Sequence, residues 1–314
     1  MAPDVNIAPS QDIKVTAEEY WAKKGDVDLF VFRKYSEDVP SNGKTLFIVH
    51  GSSNSSRTSC DLTVPGGSEY SFMNVFARWG YDVWTMDHEG YGKSSKTDGF
   101  SYVADAVDDL KAAIPIVEKE TGQSKFSFYG GSSGALRAGM YQHACPEKVE
   151  RLILAAFPYT GKDAPSLIKR NERIKEWQAT NTRKVDEAYY LNMFTRDTTG
   201  LTAPELPAAA AAAEMANGGG YVPNGTYVDM CINLPLLDPT KIKCPIMMLR
   251  GDHDGITTDA DMMAFYDNLG TRDKHMVMMS GMAHNITVGI NRHRFWYIVR
   301  SFLEMPERID DMPR

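Results

Sequence analysis

The chain predicts an α/β fold: a mostly parallel sheet covered by helices on both faces, with a helical segment inserted between two of its strands. Three observations carry that prediction. Short, continuously apolar runs alternate with longer helical patterns, as parallel strands buried on both faces require. One such run, Phe126-Ser-Phe-Tyr, breaks abruptly through Gly130-Gly131-Ser132-Ser133-Gly134 and continues at helical spacing through Ala135, Leu136, Ala138 and Met140. The rhythm then stops at Pro158 and resumes at Pro245.

In chain order, residues 1–12 read as a loose arm. Residues 13–35 suit an edge hairpin turning around Lys23-Lys24-Gly25-Asp26. Thr45-Leu-Phe-Ile-Val49 is apolar throughout, as a strand covered on both faces should be, and ends in His50-Gly51-Ser52-Ser53. A polar loop follows, then a helix over 69–79 and a strand over 82–87. The 102–120 segment is an amphipathic helix with Val103, Ala106, Leu110, Ile114 and Val117 on one side, and Pro115 should bend it. Residues 151–157 form another buried strand. From 160 to 243 the pattern is helical without a core strand: 166–179, 186–194, and 205–217 with its alanine run, ended by Gly218-Gly219-Gly220. Strands over 246–250 and 275–279, a helix over 259–269 and a long closing helix over 284–303 complete the sheet. The implied division is 1–159 and 244–314 for the core and 160–243 for an inserted cap.

Composition narrows the function. At 314 residues the chain can bury a full core. Its net charge of −7, with lysines and arginines scattered, disfavours a nucleic-acid surface. Cys60, Cys145, Cys231 and Cys244 form no CxxC pair, which suits a reducing compartment. No basic n-region precedes an apolar core at the N-terminus and no run approaches the ~18–20 apolar residues of a membrane span, so a cytoplasmic location is expected.

The chemistry starts at Ser132. A serine at the apex of a strand–turn–helix stands its hydroxyl above the sheet edge, with the next amide, that of Ser133, at a helix N-terminus. A hydroxyl needs a base to be nucleophilic at neutral pH, and the base needs an orienting carboxylate. Among seven histidines, His284 follows the final apolar strand in a glycine-bearing loop that returns over the sheet. Arg250-Gly-Asp-His-Asp-Gly ends the first strand after the insertion and offers Asp252 and Asp254. Three adjacent residues, Asp-His-Asp, converge poorly on a metal, so no metal is expected.

These residues resemble the α/β-hydrolase superfamily, in its serine-nucleophile branch with a helical cap. The resemblance covers roughly residues 25–160 and 240–305. It implies that Gly-x-Ser-x-Gly around Ser132 is a nucleophile elbow, and that glycine, two residues, aspartate selects Asp254 over Asp252. The order Ser132, Asp254, His284 is then the superfamily's order. His50-Gly51-Ser52-Ser53 resembles its oxyanion loop, pointing to the amides of Ser133 and Ser52, with Ser53 as runner-up. Asp87-His-Glu-Gly-Tyr-Gly-Lys-Ser94 resembles its Asp-x-x-Gly-x-Gly-x-Ser turn, with Glu89 where arginine is common, so any ion pair there must differ.

The expected activity is hydrolysis of a carboxylic ester, amide or carbamate of a small, moderately apolar substrate, without a cofactor. Trp177, Tyr189 and Phe194 of the insertion are the candidate substrate pocket. A carbon–carbon bond hydrolase with the same triad and a slow, receptor-like binding protein are the alternatives. The partner implied is a small molecule, with no nucleic acid and no membrane; a homo-oligomer is compatible with the sequence.

Overall fold

A computed structural model describes residues 9–66 and 68–309. Residues 1–8 of the expected arm lie outside them. Eight strands form one sheet in the order β1-β2-β4-β3-β5-β6-β9-β10: β1 Thr16–Lys24, β2 Val27–Tyr35, β3 Thr45–Val49, β4 Asp82–Met86, β5 Phe126–Gly131, β6 Val149–Ala155, β9 Ile246–His253 and β10 Lys274–Ala283. β1 and β2 pair antiparallel and β2 joins β4 antiparallel, while every other neighbour is parallel. This is the fold class that the alternating runs predict.

Alternate side chains of one strand feed two different cores. On β3, Phe47 and Val49 pack with Leu110, Ala113 and Val117 of α3 (Asp105–Thr121) and with Leu136 of α4 (Ser133–Ala144). Leu46 and Ile48 point the other way, toward Phe72 and Phe76 of α2 (Phe72–Arg78) and Phe295 and Trp296 of α11 (Arg292–Leu303). Each fully buried aliphatic or aromatic side chain contributes about 1.5–3 kcal/mol, so neither face can be uncovered.

Several boundaries move for local reasons. β1 begins at Thr16 rather than at residue 13, because the Ser36 hydroxyl donates to the Lys14 carbonyl and the Lys14 amide to Asp38, replacing the ladder there. α3 begins at Asp105 and runs unbroken through Pro115. The loop after β3 contains a short helix, α1 (Ser56–Cys60). The closing helix starts only at Arg292, since 284–291 first crosses the top of the sheet, with the Ile290 amide bonded to the Leu201 carbonyl.

Between β6 and β9 the chain leaves the sheet. It forms α5 Pro165–Asn171, α6 Ile174–Ala179, β7 Thr182–Lys184, α7 Glu187–Thr195, α8 Leu206–Gly218, β8 Tyr221–Pro223, α9 Gly225–Ile232 and α10 (Asp259–Asp267) follows β9. The helix expected over 166–179 is two, and the Trp177 indole donates to the Arg170 carbonyl that a continuous helix would have used. The small antiparallel pair β7–β8 was not expected. Tyr190, Met193, Phe194, Leu206 and Ala210 bury a third core with Leu62, Tyr91 and Val288 of the sheet's loops. Asp261 fastens the departure point, its carboxylate accepting the amides of Tyr159, Thr160 and Gly161. Among the described residues no helix is long and apolar enough to cross a membrane.

The approach of β5, α4 and β3 leaves no room for side chains at two glycines. A Cβ on Gly134 would lie 2.3 Å from the Val49 carbonyl oxygen and 2.7 Å from that of His50. One on Gly130 would lie 2.3 Å from the Gly134 carbonyl oxygen. Since both obstacles are backbone, Gly134→Ala is expected to destabilise by about 3 kcal/mol or more, with loss of activity. Urea unfolding of the variant measures this; a change under about 1 kcal/mol would show that the junction yields.

Candidate active site

Ser132 occupies the turn between β5 and α4 at φ 57° and ψ −127°, a positive-φ conformation that a side-chain-bearing residue rarely adopts. Its amide is held by the Ala155 carbonyl at 2.8 Å. The hydroxyl reaches His284 Nε2 at 3.0 Å, and His284 Nδ1 reaches Asp254 Oδ1 at 3.0 Å. The same Asp254 oxygen accepts the amides of Ile256 (2.8 Å) and Thr257 (3.4 Å), which fix the carboxylate. Asp254 and His284 are both buried. Asp252 sits elsewhere: its carboxylate accepts the amides of Gly281 and Met282 and braces the turn that leads into His284.

The loop after β3 runs against this chain. A Cβ on Gly51 would meet the Gly131 carbonyl oxygen at 3.1 Å and Ser132 Cβ at 3.6 Å. The hydroxyls of Ser52 and Ser133 share a hydrogen bond of 2.7 Å, so the loop and the α4 N-terminus are tied side by side. Ser53 turns toward the insertion and bonds Tyr189 at 2.7 Å through its hydroxyl. The Asp87 turn supports the loop from below: its carboxylate accepts the amides of Ser56 (2.7 Å) and Lys93 (2.8 Å). Glu89, standing where arginine is common, pairs with Lys24 at 2.7 Å.

Two cavities meet here. A narrow one of about 80 Å³ is lined by Ser132, His284, Ser52, Met193, Phe194 and Ile256. A larger one of about 790 Å³ lies between the insertion and the β9 loop and is lined by Trp177, Tyr189, Lys169, Arg173, Arg183 and Asp254, among others. Of the three pocket residues expected from sequence, Phe194 therefore faces the cavity of Ser132, whereas Trp177 and Tyr189 face the larger one. Arg170, Arg196 and Tyr227 line both. The sequence reading missed this cluster, because three residues spread over the insertion carry no spacing signal. It also missed Arg183, whose guanidinium donates to the carbonyls of Ser52 and Pro223, each at 2.6 Å. Among the described residues, no group of three or more histidine, cysteine, aspartate or glutamate side chains is arranged to hold a metal.

Tyr227 is sandwiched by guanidiniums, with Arg183 Cζ 3.7 Å and Arg170 Cζ 3.8 Å from its ring centre, and its hydroxyl lies 2.5 Å from that of Tyr189. Burial alone would raise its pKa, but the charges of Arg183, Arg170 and Arg196 outweigh burial and pull it down to about 6.

The family described as serine aminopeptidase, S33, matches residues 41–289, well over half of the chain. No curated protein sequence matches. Among solved structures, a thermophilic esterase from Thermogutta terrifontis superposes with a TM-score of 0.65 at 15% identity, covering 92% of this chain and 98% of that one. E-2-(acetamidomethylene)succinate hydrolase gives 0.66 at 16% identity, covering 92% and 100%. A carboxylesterase from Bacillus subtilis gives 0.61 at 15%, covering 92% of each chain. At such identities the likeness is one of fold.

Two buried histidines under the site set an acid limit. His50 Nδ1 donates to the Gly51 carbonyl, and its Nε2 accepts the His88 amide, an arrangement only the neutral ring can make. His88 Nδ1 donates to Asp109. Burial, aided by Arg137, pushes His88 down to about 4, and burial followed by the neighbouring His88 pushes His50 well below its ordinary value. The unfolded chain protonates both near pH 6.5, whereas folded His88 resists until about 4. Stability is thus complete above about 6.5 and falls as the pH drops toward 4, approaching about 1.4 kcal/mol per unit for each histidine. Urea titrations at pH 7, 6 and 5 test this; a flat stability across that range would mean that the folded state accepts the protons.

Proposed function

The chain belongs to the serine aminopeptidase S33 family of α/β-hydrolases, and on that premise we propose that it is a serine hydrolase cleaving a carboxylic ester of a small organic substrate. The observation that carries the reading is the continuous hydrogen-bond chain Ser132–His284–Asp254, with both links at 3.0 Å, ending on a serine held at positive φ.

Ser132 Oγ attacks the ester carbonyl carbon while His284 Nε2 takes the hydroxyl proton. The tetrahedral oxyanion is met by the amides of Ser133, at the α4 N-terminus, and Ser52, on the loop tied to it. His284 returns the proton to the leaving alcohol as the carbon–oxygen bond breaks and the acyl-enzyme forms. Water, deprotonated by His284, then releases the acid and restores Ser132. Asp254 keeps Nδ1–H pointed at itself, so that Nε2 is the basic nitrogen, and stabilises the imidazolium. The insertion over 160–243 is a lid: it roofs both cavities, supplies Phe194 to the apolar wall beside Ser132, and contributes no triad member. Amides and carbamates, whose leaving groups are poorer, would follow the same steps more slowly.

Ser132→Ala is expected to lower kcat/KM on a nitrophenyl ester by on the order of 10³-fold or more while leaving thermal unfolding unchanged, and to abolish the fluorophosphonate adduct seen by intact mass. Retention of more than about a tenth of the rate would remove Ser132 as nucleophile.

The two aspartates separate by role. Asp254→Asn should cost at least about tenfold more activity than Asp252→Asn, because the latter only loosens the turn before His284. Steady-state kinetics of the pair decides it, and equal losses would contradict the assignment.

A further inference from the structure

Charge around the larger cavity does not balance. Asp254 is engaged by His284, and Asp252 by the amides of Gly281 and Met282. Arg173 and Lys184 are matched by Glu176 and Asp186 outside the cavity. Arg183 donates from Nη1 and Nη2 to the Ser52 and Pro223 carbonyls and Asn224, with its Nε buried and unpartnered among the described residues. Arg196 has Asp197 at 3.5 Å from Nε, but Nε and Nη2 are buried without a hydrogen-bond partner, and Asp197 also accepts Ser166. Arg170 is the sharper case. It stacks on Tyr227 and has the Met230 sulfur at 3.9 Å from Nη1, yet among the described residues it forms no ion pair. Burial disfavours its charge and Tyr227 offsets this only in part, so the fold holds a guanidinium with no carboxylate against it among the described residues.

Both arginines line the cavity of Ser132 and the larger cavity alike. They stand where a group attached to a bound ester would pass from one into the other. Their planar forks suit a carboxylate, which each can hold through two parallel donors. Arg170 without a carboxylate and Arg196 half-matched by Asp197 leave room for at least one negative charge, and Lys169 and Arg183 add further positive charge to the lining. We propose that Arg170 and Arg196 bind a free carboxylate carried by the substrate, so that the ester hydrolysed is that of a dicarboxylic or hydroxycarboxylic acid. The inference rests on the reading of Ser132 as nucleophile. It also sets the protein apart from a peptidase of free amino termini, because an ammonium group would meet Lys169, Arg170 and Arg196 in the same cavity.

The test compares the purified full chain on two matched pairs. Monomethyl glutarate and dimethyl glutarate place the charge on the acyl side; 4-acetoxybenzoate and its methyl ester place it on the leaving-group side. In the wild type at least one charged member is expected to exceed its neutral partner in kcat/KM. That ratio should fall about 10–100-fold in Arg170→Met or Arg196→Met, the effect of losing a charge-assisted hydrogen bond, and recover in part in Arg170→Lys. Glutarate should raise the thermal midpoint of the wild type and of Ser132→Ala, but not of Arg170→Met. This binding arm is read without turnover: if no ester is hydrolysed and no fluorophosphonate adduct forms while glutarate still binds, the nucleophile reading fails and the subsite stands. A neutral preference in both pairs overturns the proposal even if the variants do not fold. So does a midpoint raised by inorganic phosphate and not by glutarate. A third overturning result is the absence of any glutarate effect, together with a tyrosinate band at pH 7 that Tyr227→Phe removes; the phenolate is then the counter-charge.

Discussion

The constraint on which the rest depends is the contact of α4 with β3 at Gly134. The helix begins against the backbone oxygens of Val49 and His50, too close for any Cβ. That closeness forces Ser132 into its positive-φ turn, lifts its hydroxyl off the sheet, and brings the Ser52 loop alongside the first helical amide. Ser132 and the candidate oxyanion donors are thus set by one packing event, and the strain at Ser132 is held in place by the ladder on either side, including the Ser132 amide on Ala155.

Below that contact lies a polar web that takes no part in the proposed reaction but fixes the residues around Ser132. His50, between Gly51 and His88, holds the start of the loop; His88 leans on Asp109, which also pairs with Lys24 from the edge hairpin. Glu214 of α8 accepts both the amide and the hydroxyl of Ser55, so a helix of the insertion reaches into the same loop. A buried hydrogen-bonded network of this kind rigidifies what it touches, at the expense of sensitivity to protonation.

What the sequence made legible follows from the range of the forces involved. Buried parallel strands show as apolar runs, and the elbow shows because glycines and serine are contiguous; β3 and β4 accordingly start where the runs start. Asp254 and His284 were readable because their loops follow strands in the expected order, and the structure brings them into hydrogen-bond reach of Ser132. Legibility fails where a contact is long-range. Nothing local marks the break at Glu172 and Arg173, which depends on an indole folding back on Arg170. Likewise, Trp177 and Tyr189 read as apolar pocket, since aromatic residues do not announce that Arg173 will lie over Trp177 or that Arg183 will stack on Tyr227, the hydrogen-bond partner of Tyr189.

Arg183 finally bears on how the insertion moves. Three consecutive glycines, Gly218-Gly219-Gly220, would suit a hinge, but Gly219 and Gly220 take positive φ as the cap of α8 and the entry to β8. Arg183, on β7, joins Pro223 on β8 to Ser52 on the core loop through two 2.6 Å hydrogen bonds, and stacks on Tyr227 of α9. Lifting the β7–β8 pair would therefore break the charge-assisted bond from Arg183 to the Ser52 carbonyl. Tyr190 adds a bond from α7 to the Ser53 carbonyl. The part of the insertion nearest Ser132 is thus continuous with the Ser52 loop. α5 and α6 are the least buried helices of the insertion, with Leu167 the one fully buried side chain on the two. Arg170 stands on α5 while Tyr227 and Arg183 belong to the part tied to the Ser52 loop, so a charge bound at Arg170 would strengthen the junction between the less buried helices and the rest of the insertion.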